Sequence, residues 1–101
     1  MSKQTGGDGM DRIIRKHFIF SGRVQGVGFR YRACYGARQR GLTGWVCNLG
    51  NGTVEMEVQG KEEEINALVW SLDQTRPIRI EGIESEEQPF KEKETGFRML
   101  N

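Results

Sequence analysis

Apolar and polar positions along the chain alternate or recur with periods that predict seven elements. Ile13 to Ser21, IIRKHFIFS, is rich in Ile and Phe and reads as a strand. GRVQGVG, Gly22 to Gly28, then places three glycines in seven residues, a loop signal. From Phe29 to Arg40 there is no proline, Ala33 and Ala37 follow Phe29 at four-residue spacing, and Gly41 closes the stretch. That is a helix with a glycine just past its end, weakened by Gly36. Leu42 to Asn48, LTGWVCN, is a second strand and Thr53 to Gly60 a third. In the third, Val54, Met56 and Val58 alternate with Glu55, Glu57 and Gln59, so one face is buried and one wet. Asn51-Gly52 between them is a hairpin-turn signal. Glu62 to Gln74 carries Ile65, Leu68, Val69 and Leu72 on one helical stripe. Thr75-Arg76-Pro77 ends it, and Ile78, Ile80 and Ile83 predict a fourth strand. A charged linker, Glu86 to Glu94, precedes a short closing strand, Gly96 to Leu100. The order β-α-β-β-α-β plus a final β predicts an α+β fold. It is the ferredoxin-like sandwich, with two helices on one face of an antiparallel sheet.

A length of 101 residues suits one domain, and 36% hydrophobic with 29% charged residues argues against wholesale disorder. Residues 1–12, MSKQTGGDGMDR, are polar and Gly-rich with no apolar core of a secretory signal. They read as a flexible tail before a domain spanning 13–101. No apolar run approaches about 18 residues, so no membrane span is expected and the domain reads as soluble and cytoplasmic. Cys34 and Cys47 do not make a disulfide framework. With His17 as the single histidine, a zinc site lacks ligands, so no metal is expected and His17 is placed on the solvent face of its strand. Trp45 and Trp70 read as packing residues.

The net charge of +1 hides an asymmetry. Residues 1–48 carry nine Lys/Arg against two Asp, a balance of +7, and residues 49–101 carry six against twelve, a balance of −6. A basic half suits nucleic acid or one small anion steered inward, and the low net charge lacks the nucleic-acid footprint.

The two helix starts are unlike. The second opens on Glu62, Glu63 and Glu64, which complement the positive end of a helix dipole. The first opens on Phe29-Arg30-Tyr31-Arg32, with cations where they are disfavoured by roughly 0.3–1 kcal/mol each. A loop of glycines before that start can aim main-chain N–H groups inward. Loop, helix start and arginine together suit a phosphate-like anion. No Gly-Lys-Ser/Thr follows the glycines, and the spacing does not match G-x-G-x-x-G, so a nucleotide cofactor is not expected. Asn48 ends the second strand, where asparagine serves turn chemistry or, alternatively, orients a water without taking a proton. Val46 and Asn48 share one face of that strand and Trp45 and Cys47 the other. With Val46 in the core, Asn48 faces the helices and the glycine loop. Cys34 to Arg40 has the Cys-x5-Arg spacing of cysteine phosphatases, but Cys34 sits inside a helix, where the donors that would stabilise a thiolate are consumed.

GRVQGVGFR at 22–30, GLTGWVCNLGNGTVE at 41–55, VQG at 58–60 and the closing GFRML together resemble the acylphosphatase family, in order over residues 13–100. The resemblance implies a ferredoxin-like fold and metal-free, cofactor-free hydrolysis of acyl phosphates to a carboxylate and inorganic phosphate. It implies that Arg30 is the catalytic arginine holding the phosphoryl oxygens and that Asn48 positions the attacking water. The main-chain cradle it implies runs over Val24, Gln25, Gly26, Val27, Gly28 and Phe29. Two positions depart from the family pattern. Asn51 stands where Asp is common, and Arg40 stands where an apolar residue is common and would loosen the end of the first helix.

Two other classes compete. GVGFRY echoes an RNA-binding motif on a related fold, yet here it runs from a loop into a helix, so Phe29 faces the core and no nucleic-acid partner is expected. Acylphosphatase-like domains also occur within larger carbamoyl-phosphate-handling proteins. No zinc-finger cysteines are appended here, which favours a free-standing, monomeric enzyme on a small acyl phosphate.

Overall fold

The computed structural model describes residues 12–101. Of the tail expected over residues 1–12, all but Arg12 lies outside the described residues. The Arg12 carbonyl accepts from the Glu62 N–H at 2.8 Å, and its guanidinium meets Glu62 and Glu87 on the surface.

The elements follow the expected order: β1 (Ile13–Arg23), α1 (Phe29–Gln39), β2 (Thr43–Asn48), β3 (Val54–Lys61), α2 (Glu62–Asp73), β4 (Arg79–Gln88) and β5 (Phe97–Met99). The five strands form one sheet in the order β4-β1-β3-β2-β5. Both helices cover one face of it. On that face Phe18 and Phe20 of β1 stand opposite Met56 and Val54 of β3. With Val46, Val58, Ile65, Leu68, Leu72, Ala33 and Ala37 they make the core.

The alternation in β3 and the stripe in α2 are therefore burial patterns. Trp70 is 66% exposed, contrary to its reading as a packing residue. It lies two residues from both Leu68 and Leu72, about 200° round the helix from the stripe. Gly41 has φ 70° directly after the C-cap Arg40, as a helix-ending glycine should. Arg40 reaches Glu64 at 3.2 Å, linking the two helices rather than loosening one.

Ile80 and Ile83 are three apart, an odd spacing for one strand face. A bulge resolves it: Phe20 pairs with Ile83 and Gly22 with Ile80, leaving Glu81 as the extra residue. Strand β4 also runs to Gln88, into part of the charged linker.

The sheet is mixed rather than antiparallel, because β5 runs parallel to β2. The chain leaving β4 crosses the face of the sheet away from the helices and enters β5 at the end where β2 begins. Along that crossing Lys91 exchanges two hydrogen bonds with the Gln59 side chain, 2.8 and 2.9 Å. Glu94 accepts from Arg15 (2.7 and 3.1 Å) and Thr43 (2.8 Å). Gln59 and Arg15 are consequently buried, although both lie on the face that alternation marks as wet. His17 is half-buried on the same face, with Nε2 at 2.7 Å from Glu55 and Trp45 edge-on at 6.4 Å.

Candidate functional site

The glycine loop is anchored at both ends, with Val24 and Phe29 buried in the core. Between them Gly26 (φ 73°) and Gly28 (φ 82°) take the left-handed conformation, which glycine adopts without a Cβ clash. Gly28 is the N-cap of α1 and has no side chain to bond the first turn. The first helical bond runs from the Arg32 N–H to the Gly28 carbonyl at 3.1 Å. The N–H groups of Phe29, Arg30 and Tyr31 therefore precede any intrahelical acceptor. No acidic residue occupies this turn, whereas α2 starts on three glutamates. The positive end of the α1 dipole therefore has no acidic side chain in its first turn to complement it.

Strand parity brings Asn48 to the same place. Val46 is fully buried on the helix side, and Asn48, two residues on, presents a buried Oδ1 without a hydrogen-bond partner. A cavity of about 130 Å³ is lined by Val24, Gly26, Gly28, Phe29, Arg30, Tyr31 and Asn48. Arg30, Asn48 and four of the six expected cradle residues thus converge on one small space. Gln25 and Val27 are not part of its lining. Val27 packs against the core. The Gln25 side chain donates to the carbonyls of Leu49 (2.8 Å) and Thr53 (2.9 Å), tying the loop to the turn after β2. A groove of about 860 Å³ between the helices adjoins the cavity and shares Gly28 and Tyr31 with it.

The Arg30 Nη1 donates to the Asn101 side-chain oxygen at 3.2 Å and to the Asn101 main-chain oxygen. Asn101 in turn pairs with the main chain of Asn48, its Oδ1 accepting from the Asn48 N–H (3.0 Å) and its Nδ2 donating to the Asn48 carbonyl (2.9 Å). Sequence reasoning passes over both Gln25 as a brace and Asn101. Nothing local in either segment signals these contacts, which depend on strands brought together from distant positions.

The cysteines do not form a thiolate site. Burial pushes the Cys34 thiol up, against the smaller opposing pull of Arg38 and Arg30. Burial pushes the Cys47 thiol up too, reinforced by the Glu55 carboxylate, which accepts its weak hydrogen bond at 3.8 Å. Among the described residues no three His, Cys, Asp or Glu side chains gather as metal ligands, and no helix is long and apolar enough to cross a membrane.

Comparison with known proteins bears on the family and the fold. Residues 16–99 match the family described as Acylphosphatase. The chain is similar to an acylphosphatase of Geobacillus kaustophilus, 41% identical over 87 residues that cover 85% of this chain and 93% of that one. Its fold is similar to the crystal structure of acylphosphatase from Bacillus subtilis, with a TM-score of 0.79 and 32% identity, covering 89% of this chain and 100% of that one. It is also similar to part of HypF from T. kodakarensis, with a TM-score of 0.73 and 35% identity over 85% of this chain but only 12% of that one.

Proposed function

The chain belongs to the acylphosphatase family, hydrolases of acyl phosphates, and from that premise we propose that the glycine loop, Arg30 and Asn48 form its reaction centre. The phosphoryl group sits against the unpartnered N–H groups at the start of α1, where the helix dipole and Arg30 offset its charge. A water donates one O–H to Asn48 Oδ1, which aims its lone pair at phosphorus. The P–O bond to water forms as the bond to the acyl oxygen breaks, so a carboxylate and inorganic phosphate leave.

A carboxylate is a good leaving group and needs no general acid. The proton lost by the water goes to a phosphoryl oxygen of the substrate itself. Catalysis is then positioning and charge stabilisation by groups fixed before the substrate arrives. Every group named comes from one chain, which supports a site complete in the monomer. Phe29, buried in the core rather than displayed on a strand, speaks against base stacking and an RNA partner. A cytoplasmic acyl phosphate hydrolase without a metal or cofactor is the reading these features support.

The observation that carries it is the buried, unpartnered Oδ1 of Asn48 in the cavity that Arg30 also lines. A native acceptor of this kind is rare unless something occupies it in use. The test is hydrolysis of benzoyl phosphate at neutral pH in EDTA. Wild type turns it over, and Arg30→Lys loses about 100-fold or more in kcat, because an ammonium cannot reproduce the planar two-pronged contact. Absence of turnover from folded wild type refutes the reaction, and full activity in Arg30→Lys refutes the site.

A further inference from the structure

The groove between the helices opens onto the reaction centre through Gly28 and Tyr31, which line both spaces. We infer that this groove receives the acyl group of the substrate, and that the acyl group it fits is an unbranched aliphatic chain of medium length. The inference rests on the reaction centre proposed above. Direction of displacement points the chain there. Attacking and leaving oxygens lie roughly in line on opposite sides of phosphorus. Asn48, which aims the water, lines the small cavity and not the groove, whereas Ser71 and Leu72 of α2 line the groove and not the cavity. An acyl oxygen leaving away from Asn48 therefore carries its chain past Gly28 and Tyr31 and between the helices.

Size and lining give the class of chain. The groove follows α1 from its N-cap, Gly28, to its C-cap, Arg40, about 18 Å at the helical rise. Its 860 Å³ is far more than an acetyl group fills. Val27 packs against the core and Leu72 is part of it, so the floor is apolar. Gly36 adds no side chain there, and a Cβ on it would stand 2.8 Å from Leu68 Cδ1. Tyr31 and Tyr35, one turn apart on α1, are both exposed and give the rim an aromatic surface.

Most polar atoms of the lining already have partners within the protein. Ser71 Oγ donates to the Leu68 carbonyl (2.8 Å) and Thr75 Oγ1 to the Ser71 carbonyl (2.7 Å). Gln39 Nε2 donates to the Tyr35 hydroxyl at 3.1 Å, and Arg40 pairs with Glu64 at 3.2 Å at the far end. A ligand rich in hydrogen-bonding groups would have to displace these bonds. A hydrocarbon chain lies against the carbon stems and leaves them in place. A second hollow of about 420 Å³ holds the exposed Trp70 and Ile83, but it shares no lining residue with the cavity. A chain tethered to a phosphoryl group in the cradle is not led into it.

The experiment compares octanoyl phosphate with acetyl phosphate as substrates of the full chain, below the concentration at which the longer one forms micelles. Both leaving groups are aliphatic carboxylates of nearly equal basicity, so the comparison reads contact with the chain rather than reactivity. A half-buried methylene contributes about twofold, and the methylenes that distinguish the two chains together raise kcat/KM by roughly 10–100-fold. Tyr35→Ala, at an exposed position, lowers the octanoyl-to-acetyl ratio by about threefold or more. Ser71→Glu, which sets a carboxylate in the wall, lowers it by about tenfold or more. Thermal unfolding run beside the assays confirms that each variant is folded. A wild-type ratio within about twofold of unity, or a ratio unchanged in folded Tyr35→Ala, overturns the inference.

A binding arm separates this inference from the reaction itself. Octylphosphonate and methylphosphonate, which carry no acyl bond to cleave, are titrated into wild type and followed by main-chain amide NMR signals. Octylphosphonate is expected to bind at least about tenfold tighter and to shift the amides of Gly36 and Ser71 as well as those of the glycine loop. Equal affinity, or shifts around Trp70 and Ile83 instead, overturn the inference. If neither acyl phosphate is hydrolysed while octylphosphonate shifts the groove amides, the hydrolase chemistry fails and the groove assignment stands. If neither phosphonate binds, both fall.

Discussion

Glu94→Gln isolates the charge in the network that clamps the crossing segment to the sheet. The Glu94 carboxylate accepts from Arg15 Nη1 (2.7 Å), Arg15 Nη2 (3.1 Å) and Thr43 Oγ1 (2.8 Å), while the Arg15 side chain is fully buried. Burial pushes the Glu94 carboxyl up, but the hydrogen bonds from Arg15 and Thr43 and the charges of Arg15 and Lys91 outweigh it and hold it below its ordinary value of 4.5. Glutamine keeps the shape and one acceptor oxygen. It loses the charge and turns a donor toward one of its former donors. At about 1.5–3 kcal/mol for a hydrogen bond to a charged group, and with Glu57 still holding Arg15 at 2.6 Å, the loss at neutral pH is about 2–3 kcal/mol. For a domain of this size that is a fall in Tm of roughly 10–20 °C. Because the folded value is depressed, this stability is present above the ordinary carboxyl value and lost as pH falls through the folded one. Wild type therefore loses its advantage in acid, and Glu94→Gln, with nothing to titrate there, converges with it. Urea unfolding followed by tryptophan fluorescence across that range measures the gap. A gap that does not narrow in acid, or no gap at neutral pH, refutes the argument.

Two further outcomes follow from the site side of the sheet. Gly28→Ala meets no atom within 4 Å of its new Cβ, so its effect is conformational, about 1–2 kcal/mol for a left-handed alanine. The loop donors shift with it, and turnover of benzoyl phosphate falls by at least about tenfold. Cys34→Ala retains full turnover, and in the native wild type Cys34 reacts with iodoacetamide far more slowly than in urea, because burial disfavours its thiolate; fast native labelling accompanied by inactivation would restore the cysteine-phosphatase alternative.

Most of what sets the fold was legible because it is local. The period-two run in β3, the stripe of α2 and the glycine loop each specify their own element, and parity alone brought Asn48 to the helix side. Contacts made by distant segments were not legible. Arg15 and Gln59 look like solvent-facing strand residues until residues 89–96 cross over them. The odd spacing of Ile80 and Ile83 makes sense only with the bulge at Glu81, which needs the partner strand. Asn101 has no neighbouring motif, and its place beside Arg30 and Asn48 exists only because β5 runs parallel to β2. The arginine-first helix was the one point where a local conflict in the sequence itself marked the candidate site.

The order of strands gives the acidic half of the chain a physical use. Strand β4 forms one margin of the sheet, ten residues long and largely exposed. A margin of that length is a template on which a second copy could add its own β4 and start a stack. Glu81, Glu84, Glu86 and Glu87 lie along it, all exposed, so an approaching copy brings carboxylates against carboxylates. The opposite margin, β5, is only three residues long, too short to seed such growth. The negative charge of the second half thus works as a barrier to self-templating, strongest in dilute salt, where repulsion between exposed charges reaches farthest.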